Sequence, residues 1–178
     1  MSASAIVPGT SASALHATEP LQYLTFSAAQ EMYAVNTLSV LEIIEYSQVT
    51  SVPMMPVFLH GVINLRGSVV PVVDLKARFG KGETDLGSRT CIVILETATQ
   101  GESQVLGVVV DSVSEVIEIL DIDIKPAPAF GNLIRTDFIK GMTKVRGAFV
   151  TLLQIEQVLC VDEIADLMNA RSARAQSH

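Results

Sequence analysis

Residues 58–75 read FLHGVINLRGSVVPVVDL, and residues 138–155 read FIKGMTKVRGAFVTLLQI. Five of these eighteen aligned positions are identical: Phe58/Phe138, Gly61/Gly141, Arg66/Arg146, Gly67/Gly147 and Val70/Val150. Most of the others exchange one apolar residue for another. A Gly-x4-Arg-Gly frame inside apolar runs, met twice, predicts one supersecondary unit built twice. Each copy reads as strand, tight turn, strand. The glycine after the arginine supplies the positive φ that a short hairpin turn requires. A repeated β unit is a scaffold: it brings no nucleophile, no acid–base pair and no phosphate loop.

The repeat extends upstream less cleanly. YAVNTLSVLEII (33–44) can be laid on VVVDSVSEVIEI (108–119), an offset of 75 against the 80 of the hairpins. Around these units, 21–27 and 31–35 read as paired strands, with 28–30 as their turn, and 38–46 reads as one continuous strand. Pro53 and Pro56 make 51–58 a turn or a single helical turn. Pro71 has no N–H to donate, so its strand should lie at a sheet edge or carry a bulge. Residues 75–80 end in glycine and predict a short helix. Strands follow at 91–96, 104–111 and 114–120, with a loop at 97–103 and an irregular excursion over 121–132. Asp162 suits the N-cap of a C-terminal helix over about 161–170. Many short strands with frequent turns indicate small barrels or a sandwich.

The chain has 178 residues, 49% of them hydrophobic, with no tryptophan and a net charge of −7. That length suits one domain of two small lobes, about 21–80 and about 90–155, between disordered tails at 1–20 and 171–178. A negative chain without a basic stripe is not expected to bind nucleic acid. No internal run suits a bilayer helix, because the longest uncharged one, 46–65, carries Pro53, Pro56 and Gly61. Cys91 and Cys160 are read as reduced structural thiols of a cytoplasmic protein, the alternative being a disulfide between neighbouring strands.

The chemistry-bearing residues are sparse. His16, His60 and His178 lack ligand spacing, so no metal is expected. There is no G-x-S-x-G, no phosphate loop and no calcium loop, so no catalytic residue and no cofactor are expected. The most specific feature is the Arg66-Gly67 turn. A guanidinium among apolar strands should be paired, and Glu42 in the preceding strand is its candidate partner. Gly61 and Gly141 stand where a side chain would crowd the turn or an approaching partner.

GVINLRGSVVPVVDL (61–75) resembles the signature of the CheW family of chemotaxis coupling proteins, and the similarity runs over about 20–168. It takes in YLTFSAAQEMYAVNTLSVLEII, VLGVVVDSVSEV and KPAPAF, and departs in the first turn, where SAAQE lacks the family's glycine. The resemblance implies an all-β fold of two five-stranded SH3-like barrels packed together, plus short helices and a C-terminal helix. It implies a non-catalytic adaptor between transmembrane chemoreceptors and the histidine kinase CheA. The implied partners are the kinase regulatory domain, the cytoplasmic receptor tips and further copies in array rings, with recruitment to membrane-associated arrays but no membrane insertion. It places partner contacts, or residues shaping them, on Val40, Glu42, Ile43, Gly61, Arg66, Gly67, Gly107 and Gly141. The other readings are a scaffold of a related chemosensory pathway, a detached regulatory part of an enzyme system, and a small-molecule enzyme built on two barrels.

Overall fold

The computed structural model describes residues 19–99, 101–127 and 135–160. The C-terminal helix expected at 161–170 and most of both tails lie outside these residues. Among the described residues there are ten strands: β1 (Leu21–Ala28), β2 (Glu31–Asn36), β3 (Val40–Glu45), β4 (Leu59–Leu65), β5 (Ser68–Asp74), β6 (Cys91–Thr99), β7 (Glu102–Val110), β8 (Ser112–Ile119), β9 (Ile139–Val145) and β10 (Ala148–Leu153). Two short helices, α1 (Leu75–Arg78) and α2 (Ile155–Val158), follow β5 and β10. Asp74 caps α1 and also accepts hydrogen bonds from the N–H and hydroxyl of Thr84, at 2.8 and 2.6 Å.

The strands form two five-stranded sheets, ordered β8-β1-β2-β10-β9 and β3-β6-β7-β5-β4. Position by position the sheets correspond, β8 to β3, β1 to β6, β2 to β7, β10 to β5 and β9 to β4. The repeat is therefore real, yet the barrels are not the two consecutive lobes expected. Each repeat sends its first hairpin into the other repeat's sheet. β1–β2 pair with β8 and β10, whereas β6–β7 pair with β3 and β5. The pairings also correct the upstream offset from 75 to 73, since Ala34 faces Leu152 as Gly107 faces Val72. Irregularities recur too. β3 and β8 bulge at matching points, as do β4 and β9.

Most strands bury both faces, which explains the unbroken apolar runs. Along β6, Ile92 and Ile94 fill one barrel while Val93 and Leu95 enter a core shared between the sheets. Tyr23 and Ala34 fill the other barrel, and Leu24 and Val35 enter the shared core. This is the strict alternation of a pleated strand. Arg78 ties the repeats at their junction. Its guanidinium lies over the repeat-related rings of Phe58 and Phe138, at 4.9 and 4.8 Å, and its Nε donates to the Val158 carbonyl at 2.7 Å.

Three local expectations change. Residues 37–39 form a 3-10 turn, so β3 begins only at Val40. The loop expected at 97–103 is mostly strand, paired out to Thr99 and Glu102. Pro71 sits in an inner strand, with its pairing to β7 beginning only at Val72. The missing N–H falls where no ladder bond is drawn from that side.

Candidate docking site at the arginine–glycine turns

In both hairpins the two turn residues have positive φ: Arg66 at 51° and Gly67 at 86°, Arg146 at 51° and Gly147 at 83°. This is the two-residue turn whose twist suits a hairpin. Glycine adopts it freely. An arginine there is strained by about 1 kcal/mol. Ala29 and Gln30 take the same positive φ at the β1–β2 turn, so what distinguishes the two arginines is the partner each one meets.

Both arginines meet a carboxylate on the sheet's opposite edge strand. Arg66 donates to Glu42 on β3 at 2.8 Å, as the sequence predicts. Arg146 grips Glu115 on β8 through both nitrogens, at 2.6 and 3.2 Å. Each pair clasps one end of a barrel seam. The clasps differ in closure. Glu115 uses both oxygens, and its strand is further held by Thr25, whose hydroxyl donates to the Glu115 carbonyl at 2.8 Å. Glu42 binds Arg66 through Oε2 alone, and its buried Oε1 has no hydrogen-bond partner. Its side chain is 24% exposed, whereas that of Arg66 is 78% exposed. The buried Oε1 is therefore an unsatisfied acceptor that costs the fold, beside a cation that is itself exposed.

Apolar side chains are exposed on the strands that carry the clasp, Leu41 and Ile43 on β3 and Val69 on β5, and Val116 and Phe149 are exposed at the positions of the other repeat that correspond to Ile43 and Val69. Beside Phe149 the mouth of the β8–β10 barrel opens as a cavity of about 600 Å³, lined among others by Ile119, Lys125, Met142 and Lys144. At the matching level of the other barrel, the Tyr46 hydroxyl meets His60 Nε2 at 2.6 Å. Burial raises the phenol of Tyr33 to about 12, with Glu31 adding to it, and burial raises that of Tyr46 as well. Both stay neutral at physiological pH.

Of the eight residues singled out, Ile43, Arg66 and Gly67 reach the surface and Glu42 lies half beneath it. The other four are placed differently. Val40 packs partly against the shared core. A Cβ on Gly61 would stand 2.3 Å from the Thr50 carbonyl, and one on Gly141 would stand 2.5 Å from an Ile124 methyl. Their crowding comes from the chain itself, where 49–50 and 124–125 cross β4 and β9. Gly107 faces Ile92, Ile94 and Val72 inside the barrel, where the other repeat has Ala34. Gly61, Gly107 and Gly141 are thus buried beneath the surface, whereas Val40 is half-buried. Conversely, the Glu115–Arg146 clasp and Phe149 were missing from the reading. Arg146 is visible in the sequence as one half of the repeat, but Glu115, in SVSEVIEI, carries no mark that sets it apart. Cys91 and Cys160 are free thiols.

Two fused small barrels carrying exposed, carboxylate-held arginines within apolar surface make a protein-docking module. The CheW-like domain family matches residues 22–163. A chemotaxis protein CheW of Klebsiella aerogenes is 33% identical over 157 residues, covering 88% of this chain and 90% of that protein. A chemotaxis protein CheW of Rhizobium meliloti is 31% identical over 142 residues, covering 80% and 89%. The crystal structure of the scaffolding protein TtCheW from Thermoanaerobacter tengcongensis superposes with a TM-score of 0.70 at 34% identity, covering 78% of this chain and 87% of that one. The chain belongs to the CheW-like family.

Proposed function

We infer that the chain is a chemotaxis adaptor that couples chemoreceptors to the histidine kinase CheA and catalyses nothing itself. The family membership supports the coupling role. The open Glu42–Arg66 clasp is the observation that carries the docking assignment. We assign the regulatory domain of the kinase to the clasp and its apolar rim, Leu41, Ile43 and Val69. Gly67 lets Arg66 stand out, while Val40, Gly61, Gly107 and Gly141 shape the face from beneath. The cytoplasmic receptor tip takes a separate surface, because one adaptor must hold both at once. Single contacts of modest area, about 800 Å² per partner, are strengthened by valency when receptors, kinase and adaptor copies assemble in arrays at the membrane. Among the described residues no helix is long and apolar enough to cross a membrane.

Arg66→Asn tests the assignment. Asparagine tolerates positive φ, so the turn should survive without its guanidinium. The variant should bind the kinase regulatory domain at least about tenfold more weakly, roughly 1.4 kcal/mol, with an unchanged circular dichroism spectrum. Wild-type affinity would remove the clasp from the docking face.

A further inference from the structure

We propose that the junction between the two sheets holds a binding site for a small zwitterion of the α-amino acid class. A hollow of about 320 Å³ opens there, a size that suits a small ligand. The β1–β2 turn, Ala29 and Gln30, forms one wall, and α1 with the loop 85–90 forms the other. Four charged side chains line it: Lys76, Asp85, Arg89 and Asp111. Two are cations and two are carboxylates, so their charges cancel. Lys76 and Asp111 are half-buried. Among the described residues, none of the four side chains is joined to another group by an ion pair or hydrogen bond.

The walls are fixed by bonds made outside the hollow. The buried Asp74 carboxylate accepts from the Lys76 N–H at 3.1 Å and from the Thr84 N–H at 2.8 Å, and so anchors the main chain that carries Lys76 and Asp85. The Asp111 N–H donates to the Ser27 carbonyl at 2.8 Å, which ties that residue to the β1–β2 hairpin. Thr90 supplies an independent observation. It lines the hollow at only 3% exposure, and its hydroxyl accepts from the Gly87 N–H at 2.8 Å. The proton of that hydroxyl meets no acceptor among the described residues. A buried donor without an acceptor costs stability, and a carboxylate bound in the hollow would remove that cost.

Charge decides the class of ligand. A simple anion is drawn to Lys76 and Arg89 but repelled by Asp85 and Asp111, and a simple cation meets the reverse. An α-amino acid carries both signs close together and is neutral overall, as the four side chains are together. Its carboxylate takes Lys76, Arg89 and the Thr90 hydroxyl, and its ammonium takes Asp85 and Asp111. The scaffold does not require these charges. In the other repeat Leu38 stands at the position of Asp111, and Glu156 at that of Lys76. Because the walls come from both sheets, a bound ligand holds the loop that joins the repeats against the turn of the opposite sheet, and it stabilises the folded chain.

The test titrates the free L-amino acids, one at a time, into the isotope-labelled full chain and follows its backbone amides by NMR. At least one should give a saturable shift centred on Gln30, Gly87 and Arg89, and should raise the thermal transition. The same amino acid as its amide, which lacks the carboxylate, and as its N-acetyl form, which lacks the ammonium, should each bind at least about tenfold more weakly. Lys76→Met and Asp111→Asn should each cause a similar loss, with an unchanged circular dichroism spectrum. The derivatives are compared on the parent chain, so that arm stands even where a variant fails to fold. Shifts that grow linearly without saturating for every amino acid, on a folded parent, would overturn the proposal. So would a derivative that binds as tightly as the free amino acid, because one sign of charge would then suffice.

Discussion

Gly61 and Gly67 sit six residues apart in one hairpin and answer to different constraints. A Cβ at Gly67 would meet nothing within 4 Å, so only its φ of 86° resists substitution. Gly67→Ala should cost about 1 kcal/mol. A side chain at Gly61 would collide with backbone rather than with a flexible chain end. Gly61→Asp should therefore destabilise the protein by about 3 kcal/mol, measured by urea unfolding. A folded Gly61→Asp protein that had lost only its binding would return the residue to the docking surface. Tyr33 gives a second test at this scale. Its folded pKa of about 12 lies above the ordinary 10, so its stabilising effect is complete below pH 10 and lost as pH rises toward 12. Stability should fall over that window, and Tyr33→Phe should flatten part of the decline. An identical alkaline decline in Tyr33→Phe would rule out this phenol as a cause.

Among the elements, the β4–β5 and β9–β10 hairpins were legible because each carries its own turn chemistry. Arg-Gly at a two-residue connection leaves a local mark, and strand flanks of alternating burial follow from it. β3 and β8 were legible as strands, yet their register was not. Runs such as VLEII and VIEI offer an apolar residue at nearly every step, so a slide of two residues preserves the pattern, and 75 fitted as well as 73. The partners of β1 and β6 were invisible for a different reason. Hydrogen bonds between distant strands use backbone groups that every residue has, so neither hairpin states which sheet it joins. The crossing of 49–50 over Gly61 has the same origin. Val40 shows the consequence for the site. Its place between Ser39 and Glu42 reads as surface, whereas the bulge at Leu41 turns it toward the shared core. Val40→Asp should lower stability by at least about 2 kcal/mol, seen as an earlier thermal transition, while Ile43→Asp should leave that transition in place. The opposite order would mean that β3 faces the other way.

At the scale of the whole molecule, each barrel is completed by a hairpin from the other repeat, and Arg78 is shared between both. Neither repeat holds a full barrel. The molecule should therefore unfold in one step, and cleavage of the connecting loop near Gly87 should leave two pieces that remain associated and folded. Two pieces that separate under native conditions, each keeping its β spectrum, would show independent lobes. One body of this kind holds its two arginine clasps at a fixed spacing, as an adaptor must if it is to set the geometry between partners. The central claim is that this body binds receptor and kinase together. Sedimentation velocity of a receptor cytoplasmic fragment and the kinase, each labelled with its own dye and mixed with and without the chain, measures this directly. The account predicts a faster species carrying both labels that forms only when the chain is added. Two separate binary complexes, each lost as the other partner is titrated in, would contradict it.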